Sequence, residues 1–498
     1  MTLHQQQLSP ANAAQMISRS PITGRMLIGG DLVESLGGRW IDCFNPANED
    51  YIGKVPLGTA ADVDRAVEAA EAAQVKWAAL SVAQRSDYLN QLGDAIMKRA
   101  DELLYVEVAD TGNPITPMRN DIVGGVERLR YFAGLGYELQ GKSIPATAGN
   151  IHFTIREPYG VVGRILAFNH PINFAIVGMA SPLMAGNAVI LKPSEQSPLS
   201  ASLLAEIARE VLPPGVLTIL SGSADVGAAL VRHPRVKRLS FVGSARTGMA
   251  IQRAAAEVAI KHVSLELGGK NPFIAFADAP VDKVAASAVA GMNFSWQGQS
   301  CGSTSRLLVH SDIYDQVLEQ VVAKTAAIRV GDPFDSATQM GAINSAAQLQ
   351  KVEHYVEAGK ADGARLATGG ARPPGEAFRK GYWMQPTVFA DVGTDARIAK
   401  EEIFGPVLSV LRWSDPDEVV KMANSVEYGL TAAVWTRDIS RAMSTALRLQ
   451  TGYVWINGIN AHVRAMPYGG YKNSGVGRER GIEELYSYTE EKSIHVMI

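Results

Sequence analysis

Arg238-Leu239-Ser240-Phe241-Val242-Gly243-Ser244-Ala245-Arg246-Thr247-Gly248 is the stretch whose reading decides the fold. A short apolar run, 238–242, breaks on a glycine and passes directly into a helical pattern. That is the strand-to-helix turn of a parallel α/β unit. Upstream, residues 161–168, 188–192 and 216–220 are apolar runs of similar length, separated by stretches with helical spacing. The alternation predicts a parallel, doubly wound sheet, an architecture that binds ligands outside the carboxyl ends of its strands. The pattern resumes after about residue 270, with strands expected at 271–276, 306–309, 407–410, 432–436 and 453–457. The predicted fold class is therefore α/β, with two doubly wound domains.

Ahead of this region, residues 25–57 alternate polar and apolar and read as strands. Helical spacing covers 62–79 and then 82–108 as one long helix, stopped by Asp110-Thr111-Gly112-Asn113-Pro114; a further helix is expected over 121–139. The most apolar segment, 175–191, is short for a membrane span and is interrupted by Ser181, Pro182 and Asn187. It reads as buried helix followed by buried strand. Residues 1–20 lack an apolar core and read as a loose arm, not a secretory signal. The chain ends in Ser493-Ile494-His495-Val496-Met497-Ile498, an apolar strand expected to pair somewhere, another subunit being one candidate.

The bulk numbers narrow the function classes. A chain of 498 residues with 47% hydrophobic and 19% charged residues has ample apolar side chains for large cores. A net charge of -3 gives no reason to expect nucleic acid or an anionic membrane as partner. Two cysteines exclude a disulfide framework and favour a reducing, cytoplasmic setting. No cluster of His, Cys and acidic residues has metal-ligand spacing, so no metal is expected.

Six segments carry chemistry. Cys301 lies in Gln297-Gly298-Gln299-Ser300-Cys301-Gly302-Ser303, where small residues let other molecules approach the backbone of a lone thiol, as a nucleophile requires. In Leu265-Glu266-Leu267-Gly268-Gly269-Lys270 an acid flanked by leucines is partly desolvated, which raises its pKa and suits general-base work. Asn169, in Ala167-Phe168-Asn169-His170-Pro171, ends a strand where its amide can donate to a developing oxyanion. Gly243, Ser244 and Gly248 let a helix amino terminus approach a pyrophosphate. Lys192 and Glu195, in Leu191-Lys192-Pro193-Ser194-Glu195, sit where ribose hydroxyls would be held; a carboxylate there repels a 2′-phosphate and favours NAD, with NADP as the alternative. In Lys400-Glu401-Glu402-Ile403-Phe404-Gly405-Pro406, Glu402 stands two residues from an aromatic that can back a nicotinamide ring.

Together with Pro467-Tyr468-Gly469-Gly470-Tyr471-Lys472-Asn473-Ser474-Gly475, these segments in this order resemble the aldehyde dehydrogenase superfamily over residues 25–498. The resemblance implies Cys301 as nucleophile, Glu266 as general base and Asn169 as oxyanion donor. It places Lys192 and Glu195 on the adenosine ribose, Gly243, Ser244 and Gly248 on the pyrophosphate, and Glu402 with Phe404 at the nicotinamide riboside. It implies an NAD-binding domain from 1–130 and 151–265, a catalytic domain from 266–475, and a small β oligomerisation arm or bridge from 131–150 and 476–498. A homodimer or homotetramer would follow. One departure stands out: the family usually has Pro-Trp-Asn-Phe-Pro around the asparagine, where this chain has Ala-Phe-Asn-His-Pro.

The implied reaction takes an aldehyde to the acid through a cysteine thioester, with the hydride passing to NAD. Phe168, Trp296, Ser300 and Trp455 are candidates for the substrate wall. Arg464 is a candidate clamp for a carboxylate-bearing semialdehyde. A cofactor-independent cysteine hydrolase, with His170 or His462 activating Cys301, is the alternative of a different class; it leaves the glycine turn, Lys192 and Glu402 without a task.

Overall fold

Ala-Val-Ile-Leu-Lys at 188–192 is apolar until its last residue and is bounded by Gly186-Asn187 and Pro193, as suits a strand covered on both faces. The computed structural model, which describes residues 21–498, buries all five residues of this strand. Val189 and Leu191 enter one hydrophobic core and Ala188 and Ile190 another. Each fully buried aliphatic side chain contributes about 1.5–3 kcal/mol of transfer free energy. The arm expected for residues 1–20 lies outside the described residues.

Ala188–Lys192 belongs to an eight-stranded sheet in the order Gly475–Val476, His262–Glu266, Val236–Val242, Val161–Ile165, Ala188–Lys192, Leu217–Ile219, Met26–Ile28, Asp31–Val33. The five strands from His262–Glu266 to Leu217–Ile219 run parallel, and both edges are antiparallel. Strand order reverses between Val161–Ile165 and Val236–Val242, which opens a crevice at their carboxyl ends.

The second sheet has seven strands in the order Arg365–Thr368, Thr387–Ala390, Val407–Trp413, Arg306–His310, Pro272–Ala275, Thr431–Trp435, Tyr453–Ile456, all parallel except the first. Here too the alternation along each strand feeds two cores: Phe273 and Ala275 enter one, Ile274 the other. The α/β architecture with two doubly wound sheets is thus the observed one.

Two expectations need correction. The helix expected over 82–108 is two helices, Val82–Lys98 and Ala100–Thr111, broken at Arg99 (φ -108°, ψ 17°). Arg99 holds this corner by bonding Glu102 and, across the fold, Glu206. The next helix starts at Ile115, earlier than expected, just past Pro114. The carboxy-terminal strand Thr489–Val496 has its partner within the same chain, pairing antiparallel with Ile151–Pro158 over eight residues. The two strands form a sheet of their own. No helix among the described residues is long and apolar enough to cross a membrane.

Candidate active site

The first sheet brings four of the singled-out segments to one edge. In the ladder Ile165 is level with Lys192 and with Phe241, and Val242 is level with Glu266. The residues that follow these strands therefore emerge side by side. Ser244 caps the helix Ala245–Ala256 by accepting from the Thr247 N–H. Gly248 lies one turn further in; an added Cβ would sit 2.9 Å from a Leu267 methyl, so this glycine serves helix-to-strand packing. Lys192 Nζ lies 2.8 Å from Glu195 Oε2.

The thiol comes from the second sheet, at its opposite end. Cys301 lies five residues before the strand Arg306–His310, and Asn271 one residue before Pro272–Ala275, so carboxyl ends of one sheet face amino ends of the other. The thiol loop is sharply bent: Asn293, Gln297 and Gly298 all have positive φ (56°, 53° and 66°). At Gly298 an added Cβ would strike the Gly405 carbonyl. Asn271 holds the loop, with Nδ2 donating to the carbonyls of Cys301 (2.7 Å) and Ser303 (2.9 Å) and Oδ1 accepting from the Thr431 N–H (3.0 Å). Asn271→Ala removes three hydrogen bonds and leaves the Cys301 carbonyl and the Thr431 N–H without a partner, and should lower stability by about 2–4 kcal/mol. Urea unfolding at unchanged denaturant concentration would refute this role.

Asn169 is buried and donates one amide hydrogen to the Gln299 carbonyl at 2.9 Å, two residues before the thiol. Its second amide hydrogen remains for another acceptor. Its own carbonyl accepts from Asn113. Immediately beyond, Glu107 accepts from the Ile172 N–H (2.9 Å), which fixes the start of the helix Pro171–Met184. Glu402 accepts from the Gly269 N–H at 2.9 Å, and Phe404, at φ 57°, packs edge-on against Phe168. Gln348 secures this turn by donating to the carbonyls of Ile403 and Phe404.

Two cavities meet at the thiol. One, of about 560 Å³, is lined by Phe168, Asn169, Lys192, Glu195, Gly243, Ser244, Glu402 and Phe404. The other, of about 660 Å³, is lined by Trp296, Ser300, Trp455 and Arg464 together with residues described below. Cys301 and Glu266 border both.

Burial raises the Cys301 thiol far above its ordinary pKa, and the nearby carboxyls of Glu266 and Glu402 add to the effect; the Tyr468 hydroxyl works against it by hydrogen-bonding the sulfur. Burial likewise raises Glu266 well above the carboxylate range, with Glu479 adding to the shift and Arg480 opposing it. Glu266 Oε1 has no hydrogen-bond partner.

Most of the expected residues gather here, with three differences. Phe168, expected on the substrate wall, lines the first cavity. Gly248 packs beneath the helix and is not part of either lining. Arg464 stands at the exposed rim of the second cavity, 3.0 Å from Glu127. The two histidines of the hydrolase alternative are engaged elsewhere. His170 Nδ1 is 2.6 Å from Asp121, and His462 sits among Tyr453, Trp455 and Tyr468, where burial followed by Arg480 and Arg128 pulls its pKa down to about 3. Sequence reasoning missed Asn271, Tyr468, Arg128 and Arg480. Asn271 opens an expected strand and Tyr468 stands inside a quoted segment, but nothing local distinguishes them; Arg128 reads as one more polar position on a helix.

The aldehyde dehydrogenase family model matches residues 32–494. The aldehyde dehydrogenase tropH of Talaromyces stipitatus is 44% identical over 462 residues, covering 91% of this chain and 90% of that protein. Among solved structures, the P. syringae indole-3-acetaldehyde dehydrogenase AldA, in complex with NAD+ and IAA, superimposes with a TM-score of 0.96 at 37% identity, over 99% of this chain and 100% of that one. An aldehyde dehydrogenase from Bacillus cereus, solved as its NAD+ complex, gives 0.94 at 38% identity over 99% of each chain. With the family model spanning nearly the whole sequence and such relatives on either side, the chain belongs to the aldehyde dehydrogenase family and is an enzyme that oxidises an aldehyde to its acid.

Proposed function

We propose that the enzyme works through a covalent thioester on Cys301, with NAD as hydride acceptor, Asn169 as oxyanion donor and Glu266 as base. The observation that carries this reading is the meeting of two separate cavities at one thiol and one carboxyl. A nucleophile that must be reached by a substrate from one side and a cofactor from the other needs that arrangement.

The lining of the first cavity fits NAD. Small and apolar residues, among them Gly227, Ala228, Val231 and Ile251, form a slot between the helices Ala224–Arg232 and Ala245–Ala256 that suits an adenine. Lys192 and Glu195 offer a donor and an acceptor to ribose hydroxyls. The amino terminus of the helix at Ser244 offers free N–H groups and a favourable dipole to a pyrophosphate. Glu402 would hold the second ribose, with Phe404 beside the ring. When bound, NAD supplies the acceptor for the aldehyde's hydride.

The Cys301 thiol gives up its proton to solvent, and Sγ attacks the aldehyde carbon. The new oxyanion takes the free hydrogen of Asn169 Nδ2; such a donor lowers the barrier by about 3–4 kcal/mol. After the hydride has left, the carbon is a thioester on Cys301. Glu266, deprotonated, then takes a proton from water as its oxygen attacks the thioester, releasing the acid and the thiol.

A screen of aldehydes with NAD and NADP assayed separately tests the assignment. Growth of absorbance at 340 nm with NAD is the expected result, and none across a broad panel would sink it. Glu195→Gln should raise the ratio of NADP to NAD efficiency about tenfold, because removing one carboxylate near a 2′-phosphate removes roughly 1.4 kcal/mol of repulsion. An unchanged ratio would take Glu195 out of the ribose site. Both cysteines are free, as suits a cytoplasmic enzyme. The exposed Ile151, Met497 and Ile498 on and just beyond the paired strands of the arm support its use between subunits of a homodimer or homotetramer.

A further inference from the structure

The wall of the substrate cavity holds cations that its acids do not pair. Besides Glu266, three acids line it, and each has a partner: Asp121 with His170 at 2.6 Å, Glu127 with Arg464 at 3.0 Å, and Glu479 with Arg164 at 3.3 Å. Two guanidinium groups on the same wall, Arg128 and Arg480, have no acidic side chain within ion-pair distance among the described residues. The one side-chain hydrogen bond of Arg128 goes to the Asn173 amide oxygen at 3.1 Å. Arg480 lies over the Tyr468 ring, 4.2 Å from its centroid, at a strained φ of 71°. Burial, and then the like charge of Arg480, pulls Arg128 down to about 10, so it stays cationic at neutral pH while the two groups repel each other.

A desolvated cation without an ion-pair partner, as Arg128 is, is costly, and a bound anion lowers the cost. A planar guanidinium also offers paired donors that match a carboxylate. Tyr468 ties this pair to the chemistry, since its ring carries Arg480 while its hydroxyl meets the Cys301 thiol. We propose that Arg128 and Arg480 together receive a carboxylate borne by the aldehyde substrate, so that the enzyme's substrate class is the oxo acids with a terminal aldehyde. This rests on the thioester reading of Cys301. It moves the carboxylate contact from Arg464, whose guanidinium faces Glu127 at the rim, to residues deeper in the wall.

The test uses 4-oxobutanoate, 5-oxopentanoate and 6-oxohexanoate, each against its methyl ester. With the wild-type enzyme, kcat/KM for at least one acid should exceed that for its ester by about tenfold or more, and the advantage should shrink as salt rises. Arg128→Met and Arg480→Met should each cut the acid-to-ester ratio on the order of tenfold or more, chiefly through KM, and Arg128→Lys should retain part of it. In parallel, glutarate titrated into the Cys301→Ala protein should bind, and binding should be lost when Arg128→Met is added. A wild-type ratio near one, or variants that lower acid and ester alike, would overturn the proposal. Failure of every aldehyde to form NADH would instead strike the thioester reading, and the glutarate titration would still decide the role of the arginines.

Discussion

Cys301→Ala is expected to lower the rate of NADH formation by about 10⁴-fold or more while NAD still binds. The size follows from the mechanism: without the sulfur no covalent intermediate forms, so the barrier loses a whole pathway and not one hydrogen bond. Retained cofactor binding follows from the separation of the cavities. Lys192, Glu195, Gly243 and Ser244 line the first cavity away from the thiol, and a methyl in place of CH₂–SH removes one atom from its far border. Three measurements read the result: absorbance at 340 nm, titration of NAD by protein fluorescence, and intact mass after brief exposure to aldehyde and NAD. Wild-type protein quenched during turnover should carry an acyl group on residue 301, and the variant none. Substantial turnover by the variant, or wild-type protein that oxidises aldehyde with Cys301 never acylated, would refute the covalent route.

How far the sequence discloses this site depends on the range of the interaction. Ala188–Lys192 is legible because strand burial on both faces leaves a continuous apolar run, and the turn at Gly243-Ser244 is legible because a helix start has local chemistry. Cys301, Glu266 and Asn169 stand out because their neighbours are unusual within a few residues. The break at Arg99 is not legible: Ala, Asp, Glu and Leu continue a helical pattern past it, and one of the acids that holds the corner, Glu206, is more than a hundred residues away. Asn271 is invisible for the same reason, since its partners are carbonyls at 301 and 303 and an N–H at 431. Arg128 and Arg480 gain meaning only when the helix Ile115–Gly134 and the segment after Val476 fold onto one wall. The raised pKa of Glu266 follows from its flanking leucines, but Glu479 and Arg480, which push it in opposite directions, come from more than two hundred residues downstream.

Glu266→Gln is expected to separate the two halves of the reaction. Hydride loss from the thiohemiacetal asks nothing of Glu266, whereas hydrolysis of the thioester asks it to take a proton from water. The variant should therefore release about one NADH per active site and then stall, with steady-state kcat lower by about 10²–10⁴-fold and the acyl-enzyme accumulating. A second readout comes from electrostatics. The Glu266 carboxylate, when ionised, disfavours a neighbouring thiolate and is one of the causes that raise Cys301. Glutamine removes that charge, so the midpoint for alkylation of Cys301 by iodoacetamide should move to lower pH in the variant. In the wild type both groups must lose protons that burial holds on, so kcat/KM should climb as pH rises through neutrality into the alkaline range. A burst without a stall would show that another group activates water. An alkylation midpoint that stays put, or moves up, would mean that the carboxyl and the thiol do not sense each other, and the base would then have to be sought among the other groups of the second cavity.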